Sequence, residues 1–169
     1  MIRLAACLAV LGFPAFAQAP DDPSPAVAAI LSQAVSECAK YSETGQPKPR
    51  LIYLPGAFTW MDLDGEFEPN DLVLDFNNIY CSSFPGLWAG SGGSMVSIAV
   101  SGENGDFAET WAARGWRRVE YNGVSIILLS RHGSYCDSYG ARACVIAITV
   151  DNQGFSMSPD AAPTGFPWE

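Results

Sequence analysis

The stretch Arg117-Arg118-Val119-Glu120-Tyr121, Asn122-Gly123, Val124-Ser125-Ile126-Ile127-Leu128-Leu129 constrains the fold of this chain more than any other. Asn-Gly between two strand-like runs favours the two-residue turn whose central residues both take positive φ. A β-hairpin is expected there, and with it antiparallel pairing. Neighbouring segments repeat the pattern. Leu72-Val73-Leu74-Asp75-Phe76, Met95 to Val100, Phe107 to Trp111 and Cys144 to Val150 are short apolar runs. Turn residues separate them, including Glu103-Asn104-Gly105-Asp106 and Asp151-Asn152-Gln153-Gly154, the latter leading into Phe155. The aliphatic run Ile126 to Leu129 suits a buried strand.

Ahead of the strands, Ser24 can cap a helix whose first residue is Pro25, a position where the missing amide proton costs nothing. Val27, Ile30, Leu31, Ala34, Val35 and Cys38 then recur at helical spacing and define an apolar face. The expected fold class is α+β, with one N-terminal helix packed on an antiparallel β-meander. Residues 18–157 are expected to form this single domain, and 158–169, with three prolines and no period, a loose tail.

Residues 1–17 have the order of a secretory leader: Arg3, an apolar stretch from Leu4 to Phe13, Pro14, and the small-residue site Ala15-Phe16-Ala17. The apolar run is too short to cross a bilayer, which takes roughly 20 residues. The expectation is a signal peptide and a periplasmic or secreted bacterial product. Removing the leader also removes Cys7 and leaves Cys38, Cys81, Cys136 and Cys144. An even set in an oxidising compartment points to disulfides. Cys136 and Cys144 bracket a short Gly-, Ser- and Tyr-rich segment, the usual form of a stapled loop. That leaves Cys38, on the helix face, to bond Cys81 in the core beneath. Zinc is disfavoured, because there is no CxxC pair and His132 is the single histidine.

The formal charge is −9, and loss of Arg3 makes it one unit more negative. Such a chain lacks the basic surface that nucleic acid or an anionic membrane needs. No segment after the leader approaches transmembrane length.

The acids concentrate in Asp62-Leu63-Asp64-Gly65-Glu66-Phe67-Glu68-Pro69-Asn70-Asp71, with Asp75 closing the following strand. Alternating carboxylates around a glycine turn are how short loops surround calcium with oxygen ligands. The stretch resembles the Asp-x-Asx-Gly-Asp-Gly-x-x-Asp loop of FG-GAP and VCBS repeats, with Asp62, Asp64 and Glu66 on its first, third and fifth positions. Phe67 replaces the second glycine, and the closing acid is displaced by one to Asp71. The resemblance implies Ca2+ at Asp62, Asp64, Glu66 and Asp71. A solvated turn that keeps a sheet edge from pairing is the competing reading.

Over Cys38 to Phe155 the chain is also similar to a group of small exported bacterial proteins of unassigned function. The shared features are the acidic loop running into Leu-Val-Leu-Asp-Phe, the Gly90-Ser91-Gly92-Gly93 turn, Gly115-Trp116 before the hairpin, and His132-Gly133-Ser134-Tyr135-Cys136. Many of that group carry extra cysteines at the glycine-rich turn, where this chain has Ser94. The resemblance implies fold and compartment and no activity.

The segment His132, Tyr135, Asp137, Tyr139 and Arg142 around the expected Cys136–Cys144 staple is the preferred interaction site, since Tyr and Arg anchor interfaces and a closed loop presents them already ordered. A staple that merely pins a strand connection is the alternative. For catalysis, His132 with Ser134 or Ser138 and Asp137 is the nearest constellation, but there is no Gly-x-Ser-x-Gly elbow and the glycine run lacks the Lys of a phosphate loop. The expected function is a non-catalytic extracytoplasmic module that binds a protein or envelope component through the stapled loop. Alternatives are an inhibitor of a basic cell-wall hydrolase and a hydrolase using His132.

Overall fold

The computed structural model describes residues 17–42, 45–66, 69–102, 105–136, 142, 144–151 and 154–157. The expected leader, except Ala17, and the expected tail lie outside these residues. One helix and three antiparallel sheets make up the architecture.

The helix, α1, spans Pro25–Ala39. It begins where the sequence predicts, with Pro25 in its first turn, but the Ser24 side chain makes no capping hydrogen bond. The Ser24 carbonyl instead accepts from the Ala28 amide at 2.8 Å. Val27, Ile30, Ala34 and Cys38 are buried as expected, whereas Val35 is exposed. The buried stripe is therefore narrower than its apolar composition and turns Glu37 inward in place of Val35.

The strands are β1 Leu51–Tyr53, β2 Phe58–Met61, β3 Asp71–Asp75, β4 Ile79–Cys81, β5 Ser94–Val100, β6 Phe107–Ala113, β7 Gly115–Tyr121, β8 Val124–Arg131, β9 Cys144–Asp151 and β10 Gly154–Met157. Strands β2-β3-β5-β6 form one sheet, β7-β8-β9-β10 a second, and β1-β4 a two-stranded ribbon. The β7–β8 hairpin turns at Asn122 and Gly123, with φ of 51° and 79°, as the Asn-Gly pair requires. The meander thus splits into two sheets, and the split falls on one residue. Arg114 separates β6 from β7 and its amide bonds the Ser130 carbonyl at 2.7 Å, so the chain passes directly between sheets.

Alternation along the central strands separates two cores. Leu72, Leu74, Met95 and Ala99 pack with Val27, Ile30, Ala34 and Cys38 of the helix and with Ile79 and Cys81 of the ribbon. On the opposite face, Val73, Val96, Ile98, Val100 and Trp111 meet Ile127, Leu129, Ile146, Ile148 and Val150 of the second sheet. The layers therefore run helix and ribbon, first sheet, second sheet. Both expected disulfides form: Cys38–Cys81 ties the helix to β4, and Cys136–Cys144 closes the β8–β9 connection.

The run Ile126 to Leu129 is buried on one face only. Ile127 and Leu129 have no exposure, while Val124 and Val145 on the outer face of the second sheet are 47% and 64% exposed. No helix among the described residues is long and apolar enough to cross a membrane.

Candidate functional site

The acidic stretch is the connection of the β2–β3 hairpin, whose pairing places Met61 opposite Asp71. Leu63 anchors it in the inter-sheet core, and the Ser125 hydroxyl donates to the Asp62 carbonyl at 3.1 Å. Asp71 is fully buried; Oδ2 accepts from the Leu63 amide at 2.6 Å and Oδ1 from the Ser101 amide at 3.1 Å. Asp62 Oδ1 accepts from the Gly65 amide and Asp64 Oδ1 from the Glu66 amide, at 2.8 and 3.2 Å. Gly65 sits at φ 87°, which explains the glycine in the turn. These bonds draw Asp62, Asp64 and Asp71 together, with one carboxylate oxygen of each within 4.8 Å of the others. Glu66 is exposed and stands outside that group.

Asp64 Oδ2 is buried and without a hydrogen-bond partner among the described residues. Burial raises the Asp71 carboxyl above its ordinary pKa, and the neighbouring Asp64 charge adds to this, while the backbone amides pull it back. The donors are all carboxylate oxygens, the type a hard divalent cation takes.

The second cluster lies where β8 ends. His132 caps a short 3-10 turn, Gly133–Tyr135, its Nδ1 standing 2.7 Å from Ser134 Oγ and 3.4 Å from the Ser134 amide. The contact between His132 and Ser134 is therefore local to the turn. Arg131 is 1% exposed, donates from Nε to the Ala112 carbonyl at 3.1 Å, and places its guanidinium carbon 4.9 Å from the Tyr135 ring centroid. Burial lowers the Arg131 pKa, and Tyr135 opposes the shift. Tyr135 itself remains 40% exposed. Among the expected binding residues, His132 and Tyr135 come together here and Arg142 is exposed. Asp137 and Tyr139 lie outside the described residues.

Sequence reasoning missed what this turn rests on. A Cβ built on Gly92 would lie 3.6 Å from Tyr135 Cε2 and 3.8 Å from His132 Cβ, so the glycine-rich turn and the stapled connection come close enough for one added methyl to bridge them. Gly90 and Gly93 exchange backbone hydrogen bonds of 3.0 Å, and Arg114 Nη2 fixes the turn by donating to the Ser91 carbonyl at 2.9 Å. Gly93 has φ 100°, and a Cβ there would be 2.3 Å from the Ala113 carbonyl oxygen. Together these segments enclose an open pocket of about 420 Å³, walled by Leu87, Trp88, Met95, Ala112, Tyr135 and the turn itself. Trp88 and Ser94 of the wall are 6% and 5% exposed, and Trp88 Nε1 and Ser94 Oγ have no hydrogen-bond partner among the described residues. No local signal pointed to these residues, because their assembly with Tyr135 depends on how the two sheets stack. Comparison of the chain with protein-family models, with curated proteins and with solved structures finds no match.

Proposed function

We propose that this protein is a non-catalytic extracytoplasmic module that binds a protein or envelope component through the surface around the Cys136–Cys144 staple. The observation that carries this reading is Tyr135, which is 40% exposed to solvent yet carries the buried Arg131 guanidinium against its ring, 4.9 Å from the centroid. A half-exposed aromatic held in this way loses little rotamer freedom on binding, which is the main entropic penalty for an interface side chain. Two disulfides suit an oxidising compartment. Alanine at His132, Tyr135 and Arg142 is expected to abolish at least one interaction that the wild-type protein makes with envelope components. Unchanged capture of every partner by the triple variant would overturn the reading.

A second reading attaches to the acidic loop, where the grouping of Asp62, Asp64 and Asp71 with the unpartnered Asp64 Oδ2 favours a calcium ion as a structural ligand. Calcium is then expected to raise the melting midpoint, and a chelator to reverse the rise. Equal midpoints with and without the ion would remove this reading.

A further inference from the structure

Strand β7 ends the second sheet; it pairs with β8 on one side and with no other described strand. The Asn122-Gly123 turn fixes which of its backbone groups are left over. In a two-residue turn the carbonyl before the turn accepts from the amide after it. Tyr121 therefore bonds Val124, and by alternation Val119 and Arg117 also direct their amides and carbonyls at β8. The N–H and C=O groups of Trp116, Arg118 and Glu120 face away from the sheet, and no backbone bond outside the β7–β8 ladder reaches them among the described residues. An open edge of this kind is a template for a further strand. The edges β2 and β10 have only four residues each. The edge β6 is as long as β7, but its sole charged residue is Glu109, which has nothing to oppose it in a copy of the same strand.

Charges on an edge strand ordinarily keep other strands away, and β7 carries Arg117, Arg118 and Glu120. Against a second β7 related by a two-fold axis, these charges select one register. An axis that passes between residues sets an outward-facing residue against an inward-facing one and breaks the bonding. An axis through Arg117, Arg118 or Glu120 opposes that residue to its own copy, like charge to like charge. An axis nearer either end pairs too little of the strand. An axis through Val119 opposes valine to valine, Arg118 to Glu120 and Arg117 to Tyr121, and the Arg118 and Glu120 pairs are the ones whose amides and carbonyls face outward. Within one chain Arg118 Nη2 already meets Glu120 Oε1 at 2.6 Å, so the cross-strand pairs close a ring of alternating charges. On the other face Val119 and Tyr121, 36% and 69% exposed, gain Val119 and Arg117 of the second copy as neighbours. We propose that β7 pairs antiparallel with β7 of a second copy about a two-fold axis at Val119, joining the two second sheets into one. This goes beyond the staple reading and uses none of its residues: the staple follows the Arg131 end of β8, whereas Val119 lies opposite Ile126, near the Val124 end.

The test uses the full disulfide-bonded chain. Sedimentation over a concentration series from about 1 μM to about 1 mM, the span of weak affinities, is expected to show a reversible dimer. The amides of Arg118 and Glu120 should exchange with solvent more slowly as the dimer fills. Arg118→Glu and Glu120→Arg each set like charges across the axis and are expected to weaken the dimer by about tenfold or more. Combined, the two changes exchange the signs and should recover it. The melting midpoint at the lowest concentration checks that each variant folds. Val119→Cys gives a reading independent of charge. On the axis its Cα would stand about 4.5 Å from its copy, the spacing of an antiparallel pair that exchanges no hydrogen bonds, which a disulfide can span. Mild oxidation should therefore link two chains through that position, whereas Tyr121→Cys, opposite Arg117, should not link. Three results would overturn the proposal: a chain that stays monomeric throughout, a dimer unmoved by either charge reversal or not recovered by the double variant, and cross-linking as strong for Tyr121→Cys as for Val119→Cys.

Discussion

Asp71 carries two opposed demands on one carboxylate. Its two oxygens hold the Leu63 and Ser101 amides, joining the acidic loop to the end of β5, yet the site is fully buried and the charged form is disfavoured. The folded pKa therefore stands above the ordinary 3.8. A group of this kind contributes stability that is fully present below its unfolded pKa and is lost as pH rises through the folded one. Asp71→Asn does not titrate, and its amide can accept from only one of the two N–H groups, so it is expected to destabilise by about 1–3 kcal/mol. The gap to wild type should be widest in acid and should narrow towards neutral pH. Urea unfolding over a pH series measures this, and a gap that widens with rising pH contradicts it. Gly93 is constrained differently, by backbone. Gly93→Ala combines a left-handed φ with a 2.3 Å approach to the Ala113 oxygen, and is expected to lower stability by more than about 2 kcal/mol. Gly92→Ala, one residue away, should stay within about 0.5 kcal/mol of wild type. Sequence alone marks both as turn glycines and cannot rank them, because the atom that discriminates belongs to β6.

At the scale of elements, the hairpin at Asn122-Gly123 was legible because the positive φ it needs is a local property of those two residues. The short strands β2 and β4 were not. Ile79–Cys81 is too short for alternation to show, and Phe58–Met61 has no clean period. The division of the meander into two sheets was also hidden, since it requires only Arg114 between β6 and β7. That division makes the second sheet one-sided, although its aliphatic run suggested burial throughout. Leu129→Ala, on the inner face, is expected to cost about 2–5 kcal/mol. Val145→Thr, on the outer face, should change stability by less than about 0.5 kcal/mol. Denaturant midpoints of the two variants check the assignment of faces, and similar losses at both positions would mean that the outer face is covered. The acidic loop was legible as a constellation, and Asp62, Asp64 and Asp71 do converge; Glu66 stands outside their group and meets Asp64 through its backbone amide.

For the whole molecule, charge and covalent framework are distributed unevenly. Most of the acids precede Arg114, whereas Arg117, Arg118, Arg131 and Arg142 all follow it, in the part that builds the second sheet. The overall acidity read from composition therefore describes mainly the part before Arg114, and at the staple it leaves Arg142 exposed and Arg131 buried under Tyr135. The two disulfides likewise act on different scales. Cys38–Cys81 closes a separation of 43 residues and joins helix to ribbon, whereas Cys136–Cys144 closes one of 8 within a single connection. By loop-closure entropy the first should contribute about 4 kcal/mol and the second about 2.5. At about 3 °C per kcal/mol for a chain of this size, replacing Cys38 and Cys81 together by Ser is expected to lower the melting midpoint by about 12 °C. Replacing Cys136 and Cys144 should lower it by about 7 °C. Thermal unfolding of the two double variants measures the difference. The helix has a second hold on the fold, because Val27, Ile30 and Ala34 still pack on the first sheet when the bond is gone; the Cys38/Cys81 variant should therefore keep its helical signal up to its lowered midpoint. A larger loss from the short staple than from the long one would mean that the β8–β9 connection, and with it the seat of Tyr135, stabilises the native state by more than loop closure.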